Sequence, residues 1–286
     1  MRVSRLDLDG LGSPRAIAAR IHQIQHDLPT AVPLEDLCRT LDIVSIAELE
    51  TGGFEAALVM DVNKAAGGIL VAAGRSRQRR RYSIAHELGH FLIPTHMPEP
   101  GEGFTCSLDD LHRVDAKERD RRKRIEAEAN GFAAALLMPP AKIRTGSQSR
   151  TPDLGDIVRL AREFEVSKEA MARAYVDAER EAIAVLVLRH GSIERIYRDP
   201  NIFPWIVPRI GQRAPAGSAA GGPAPFPGDL SPIHECDASV WFGERDAGRV
   251  DRLTEQMLGQ QDGYAMLLLH AELLDDDGDA KDCSWR

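Results

Sequence analysis

Residues 86–90 read His-Glu-Leu-Gly-His inside the apolar stretch SIAHELGHFLI, and no other feature constrains the chain as much. On a helix, residues four apart are separated by about 6 Å along the axis and point to nearly the same side. His86 and His90 can therefore grip one metal ion while Glu87 aims at a water beside it, the arrangement that suits zinc. Ile84, Ala85, Leu88, Phe91 and Leu92 make the helix apolar enough to be buried. A buried helix seldom tolerates two histidines and a glutamate without a task for them. The helix is expected to stop before Pro94.

A zinc site with open chemistry needs a third protein ligand, and the lack of cysteines beside the helix points to a downstream carboxylate. The candidates lie in IEAEANGFA, residues 125–133. On a helical wheel Ile125, Ala129, Phe132, Ala133 and Leu136 share one stripe. Glu126 falls about 60° from its centre and Glu128 about 100° on the other side, so Glu126 is the better ligand and Glu128 its rival. Small residues at 127, 129 and 133–135 allow close approach to a partner helix. Asn130, one turn after Glu126, is placed to hydrogen-bond the free nitrogen of a metal-bound histidine.

Around these helices the chain punctuates itself into elements. Ser13-Pro14 opens a helix with Ile17, Ile21 and Ile24 on one face, and a shorter helix follows Pro33. The runs 43–47, 56–60 and 69–72, separated by Gly52-Gly53 and Gly67-Gly68, predict a small antiparallel sheet. Residues 94–107 predict a loop, and LGDIVRLAREFEV with KEAMARAYVDAER predicts a helical pair over 154–180. From Ala182 the character turns to strands, with a hairpin at His190-Gly191, further strands at ASVWFG and YAMLLLHAELL, and a mobile Pro/Gly/Ala-rich loop at 214–232. The expected fold class is α+β. A zincin-like domain over 1–180, with 154–180 as its helical extension, precedes a smaller α/β sensor-like domain over 181–286.

With 286 residues the chain has room for both domains. Its 36 Lys+Arg against 44 Asp+Glu leave 36 − 44 = −8, which argues against a protein coating nucleic acid with its whole surface. No apolar run reaches the ~18 residues of a membrane span, so no membrane partner and a cytoplasmic location are expected. Cys38, Cys106, Cys236 and Cys283 form no CxxC pair and are read as reduced thiols.

Three stretches, RRYSIAHELGHFLIPTH, IEAEANGFAAALLMP and LAREFEVSKEAMARAYV, together resemble the ImmA/IrrE family of bacterial metallopeptidases over residues 15–180. The resemblance implies a compact zincin-type domain holding Zn2+, with His86, His90 and Glu126 at the ligand positions and Glu87 as general base. It implies limited endoproteolysis of a helix-turn-helix repressor that controls mobile elements, DNA-damage responses or phage-defence operons. Residues after 180 loosely resemble the GAF-like sensor domain of radiation-response members. One departure is the long interval from His90 to Glu126, which carries a Pro/Gly loop and a charged insert.

Several assignments stay open at this level. A second oxyanion donor is expected among Tyr82, His96, His112, Tyr175 and His190. Cys106, in the middle of the loop between the two metal-site helices, is expected to reach the ion as an inhibitory fourth ligand. The arginines at 75–81 and 119–124 are expected to track single-stranded DNA as an activator. The rival class is a DNA-binding or ligand-sensing regulator whose zinc is only structural. Against it, the 154–180 pair balances acids with bases and lacks a basic, Asn/Gln-bearing recognition helix.

Overall fold

The computed structural model describes residues 1–61, 63–97 and 121–274, together with the backbone of 104–106. The chain divides into two compact units, one of residues 1–147 with 157–174 and one of 148–156 with 175–286. The helical pair expected to close the first domain is thus shared between the units, in place of a single boundary near 180.

The first unit begins with α1 (Pro14–Ile24) and α2 (Leu34–Thr40). Strands β1 (Ile43–Leu49), β2 (Ala56–Met60) and β3 (Gly67–Ala72) follow, then the long helix α3 (Arg77–Leu92). After the short strand β4 (Phe104–Cys106) come α4 (Arg121–Leu137), α5 (Pro140–Gly146), α6 (Leu154–Glu163) and α7 (Lys168–Ala178). Part of α6 and the end of α7 lie in the second unit.

The sheet order is β1-β3-β2-β4. It is mixed, since β1 pairs β3 in parallel while β2 runs antiparallel to both β3 and β4. The all-antiparallel expectation fails because alternation marks a strand but not its neighbour. The 50–55 connection carries β2 past the place where β3 will lie, so β1 and β3 both oppose β2 and must run the same way. The expected 94–107 loop also contains β4, whose register sets Cys106 opposite Ala56 and Phe104 opposite Leu58.

Helix α3 packs on β2 and β3 and against α4, and α4 in turn packs on α1. From Ser83 to Phe91 every residue of α3 is buried. Ser76 caps its start, its hydroxyl accepting from the Arg79 N–H at 3.3 Å. At its other end Lys64, itself buried, donates from Nζ to the carbonyls of His90 (2.9 Å) and Ile93 (2.8 Å). A cation there satisfies the His90 carbonyl, which Pro94 leaves without a helical donor.

In the second unit β5 (Ala182–Arg189), β6 (Ser192–Arg198), β7 (His234–Cys236), β8 (Val250–Gly259) and β9 (Tyr264–Leu273) form an antiparallel sheet of order β6-β5-β9-β8-β7. His190 and Gly191 make the two-residue β5–β6 turn with φ of 49° and 78°, the left-handed pair that matches strand twist. Ala184, Leu186 and Leu188 pack with Phe203, Trp241, Phe242 and Leu267 in a core separate from that of the first unit. The sheet is antiparallel and crossed by turns and the single-turn α8 (Glu244–Ala247), so the helix-connected α/β layout expected here is corrected. ASVWFG is likewise not a strand, for Ala238–Val240 form a 3-10 turn.

The stretch 214–232 is not a free loop. Gly228 N–H donates to Gly259 O (2.9 Å) and Ser231 N–H to Met257 O (2.8 Å), which ties the segment along β8. Its glycines permit close backbone approach: a Cβ on Gly221 would lie 2.4 Å from Pro215 O. Composition alone cannot distinguish glycine used for freedom from glycine used for contact.

Candidate metal centre

The structure brings His86, His90 and Glu126 together, all three buried. Their donor atoms form a small triangle: His86 Nε2 to His90 Nε2 is 3.0 Å, His86 Nε2 to Glu126 Oε2 3.1 Å, and His90 Nε2 to Glu126 Oε2 3.4 Å. Ligands about 2.1 Å from a tetrahedral zinc stand about 3.4 Å from one another, so this triangle fits one face of such a site. Two neutral nitrogens and a carboxylate are also the ligand types of an open zinc centre.

The electrostatics agree with a place for a cation. Burial acts against charge on His86, but the Glu126 hydrogen bond and the Glu87 and Glu126 charges outweigh it and raise its pKa. Burial, with the charge of His86 added to it, pushes His90 down to about 3. For Glu126 burial acts upward, yet the hydrogen bonds and charges of the two histidines hold its carboxyl well below the usual range. The triad keeps an ionised carboxylate in a dry site, and this is a charge that a divalent cation would satisfy.

The two packed helices α3 and α4 place these groups. Glu126 lies on the buried face of α4 with Ala129, Phe132, Ala133 and Leu136. Asn130 Oδ1 stands 3.0 Å from His86 Nδ1 and accepts the Tyr82 hydroxyl at 3.0 Å. Glu128, the rival ligand, faces His96 at 2.9 Å and is not part of the triangle. Glu87 is fully buried next to His86, close enough for its charge to act on that ring.

Of the expected oxyanion donors, Tyr82 is engaged with Asn130, and burial pushes its phenol up to about 12. His96 is tied to His90 and Glu128. His190 forms a turn of the second unit, Tyr175 belongs to that unit as well, and His112 lies outside the described residues. Cys106 is placed by its backbone in β4, and its side chain lies outside what is described.

The five arginines at 75–81 all face carboxylates. Arg75 and Arg79 meet the buried Glu55 (2.6 and 2.7 Å), Arg77 and Arg81 meet Glu165 (2.7 and 3.4 Å), and Arg80 bridges Glu35 and Glu48 (2.9 Å each).

A helix bearing two histidines one turn apart, laid on a mixed sheet and completed by a carboxylate from a second helix, is a zincin-like arrangement of metal-ligating side chains. Residues 46–175 match the IrrE N-terminal-like domain, a peptidase family, so this stretch of the chain is similar to the ImmA/IrrE proteins. Over 119 residues it is 31% identical to the radiation response metalloprotease IrrE of Deinococcus radiodurans, covering 41% of this chain and 33% of that protein. The match therefore spans a third of the relative's length. In fold the chain is similar to a Mycobacterium tuberculosis transcriptional regulator, with a TM-score of 0.52 at 15% identity over 90% of this chain and 87% of that one.

Two neighbours of the site escape a reading by motif. His96 contacts His90 from beyond Pro94, where no helical spacing applies, and Lys64 arrives from the β2–β3 connection. His96, a third histidine soon after the pair, is expected only as one of several possible oxyanion donors and not as a partner of His90.

Proposed function

We propose that the chain is a zinc-dependent endopeptidase that makes one or a few cuts in a helix-turn-helix repressor and so derepresses a stress, mobile-element or phage-defence operon. The observation that carries this reading is the 3.0–3.4 Å triangle of His86, His90 and Glu126 with Glu87 buried beside it. A bound zinc ion would polarise the scissile carbonyl and make water acidic near neutral pH. His86, His90 and Glu126 hold that ion. Glu87 takes the proton of the attacking water at its carboxylate and returns it to the leaving amine.

Residues 181–286, GAF-like in this reading, form a regulatory part that gates the peptidase. Their own core and sheet, free of the catalytic residues, support this. Single-stranded DNA as activator draws no support from Arg75–Arg81, because tracking a phosphate backbone would break the ion pairs of all five. Cys106 serves as an inhibitory fourth ligand that a signal removes. No helix among the described residues is long and apolar enough to cross a membrane.

The test is to incubate the zinc-loaded protein with the product of the neighbouring gene and with helix-turn-helix repressors of the same organism. Defined cleavage by the wild type, none by Glu87→Gln, and equal zinc in both are expected. Free digestion of casein contradicts the narrow specificity, and a DNA-binding regulator with structural zinc predicts no cut at all.

A further inference from the structure

Of the two histidines in the metal triangle, each has its outer nitrogen engaged, but by different means. His86 Nδ1 meets the amide oxygen of Asn130 directly. His90 Nδ1 instead meets Nδ1 of a third imidazole, His96, at 3.1 Å, and His96 Nε2 meets Glu128 Oε2 at 2.9 Å. The His90 and His96 rings are 5.0 Å apart at 48° to each other. His96 is fully buried, and the Glu128 side chain is about one-third exposed.

Hydrogen-bond chemistry orders this chain of atoms. A carboxylate only accepts, so His96 Nε2 carries the hydrogen that faces Glu128. A neutral His96 then has its lone pair on Nδ1, and the 3.1 Å contact is a bond only if His90 Nδ1 donates to it. That leaves the lone pair of His90 on Nε2, the atom in the triangle. Glu128 thus selects the metal-binding tautomer of His90 through an intervening ring, and its charge makes that ring a stronger acceptor.

The placement explains why an adaptor is needed. Glu126 and Asn130 are one turn apart on the side of α4 that faces α3, whereas Glu128, two residues from each, projects about 200° around the helix from Glu126. It can serve His90 only if something bridges the gap. The turn after α3, closed by the His96 N–H on the Ile93 carbonyl (3.2 Å), folds the His96 ring back beneath His90.

We infer that His96 and Glu128 are positioning residues of the metal centre, a carboxylate–imidazole relay that orients His90 and fixes its tautomer. The inference rests on the reading of the triad as a zinc site. Helix α4 would then supply one ligand and the orienting group of each of the other two.

Zinc affinity, measured on the full chain by competition with a chromophoric chelator, tests the relay together with the visible spectrum of the cobalt-substituted protein. His96→Leu should weaken zinc about 10-fold or more, as losing such a partner does. His96→Asn puts an amide oxygen where Nδ1 stands and should restore most of the loss. Glu128→Gln, at a partly exposed position, keeps an acceptor without the charge and should fall between wild type and His96→Leu. The cobalt spectrum should shift in the same order, whereas a merely structural role would leave it unmoved. Wild-type affinity and spectrum in both Glu128→Gln and His96→Leu would overturn the relay, and so would a loss in His96→Asn equal to that in His96→Leu. A wild type that binds no zinc overturns the metal-centre reading itself, and the relay with it.

Discussion

Gly89 and Phe132 set the spacing of the two metal-site helices: a Cβ on Gly89 would lie 2.9 Å from Cδ1 of the Phe132 ring and 3.3 Å from its Cβ. Phe132 is fully buried and cannot swing away. Gly89→Ala should therefore push α4 off α3, carrying Glu126 out of the triangle. A loss of about 1–3 kcal/mol in stability is expected from the overpacking, with a fall in zinc affinity beyond that of an equally destabilised variant elsewhere. Denaturant unfolding with parallel metal titration reads both, and unchanged zinc binding would refute the spacing role.

Glu126→Gln and Glu128→Gln separate ligand from positioning residue. The first removes a donor from the triangle and should cost more than the ~10–100-fold typical of an outer partner. The second should keep the zinc stoichiometry. Full zinc occupancy in Glu126→Gln, with loss in Glu128→Gln, would reverse the assignment.

Glu55 is 2% exposed and holds Arg75 and Arg79, which lie on either side of the α3 N-cap. Replacing either arginine leaves the carboxylate one partner. Arg75→Ala with Arg79→Ala leaves it buried and unpaired, so the double variant should lose about 3–5 kcal/mol, more than the two single losses added. Additive losses in urea unfolding would show that the pairs act independently.

Cys106→Ser should raise basal cleavage of the repressor without changing zinc content, since a hydroxyl is a far weaker zinc ligand than a thiolate. Unchanged basal cleavage would remove Cys106 from the inhibitory role.

What the sequence makes legible follows physical range. The i, i+4 histidines and the apolar stripe of α4 are local patterns, so the histidine-bearing helix and the inward placement of Glu126 beside His86 and His90 could be read from spacing. His190-Gly191 was legible as a turn for the same reason, since two left-handed residues in a row are a local demand. The parallel pairing of β1 with β3 depends on which strand arrives later, and no residue in β1 encodes it. His96 and Lys64 reach the site from connections whose paths are set by tertiary packing. The anchoring of 214–232 was hidden because Gly221 and Gly259 act by lacking a side chain, and an absence carries no pattern.

His22 gives the first unit a dependence on pH that is separate from the metal. Its Nε2–H donates to the Leu136 carbonyl at 2.8 Å, bridging α1 to α4, while Nδ1 is buried with no hydrogen-bond partner among the described residues. Burial, with the Lys142 charge acting the same way, holds its pKa below the ordinary 6.5 against the opposing pull of the Leu136 carbonyl. The unfolded chain takes up the proton near 6.5 and the fold only at lower pH, so in between the unfolded state binds more protons. Stability from this group is complete above 6.5 and is lost as pH falls through 6.5 toward the folded value. His22→Gln keeps an amide donor for Leu136 but cannot titrate. In metal-free protein, where protons do not compete with zinc at His86 and His90, its urea midpoint should fall less between pH 7 and 5.5 than that of the wild type. Equal falls in the two proteins would show that His22 contributes nothing to the acid sensitivity of the fold.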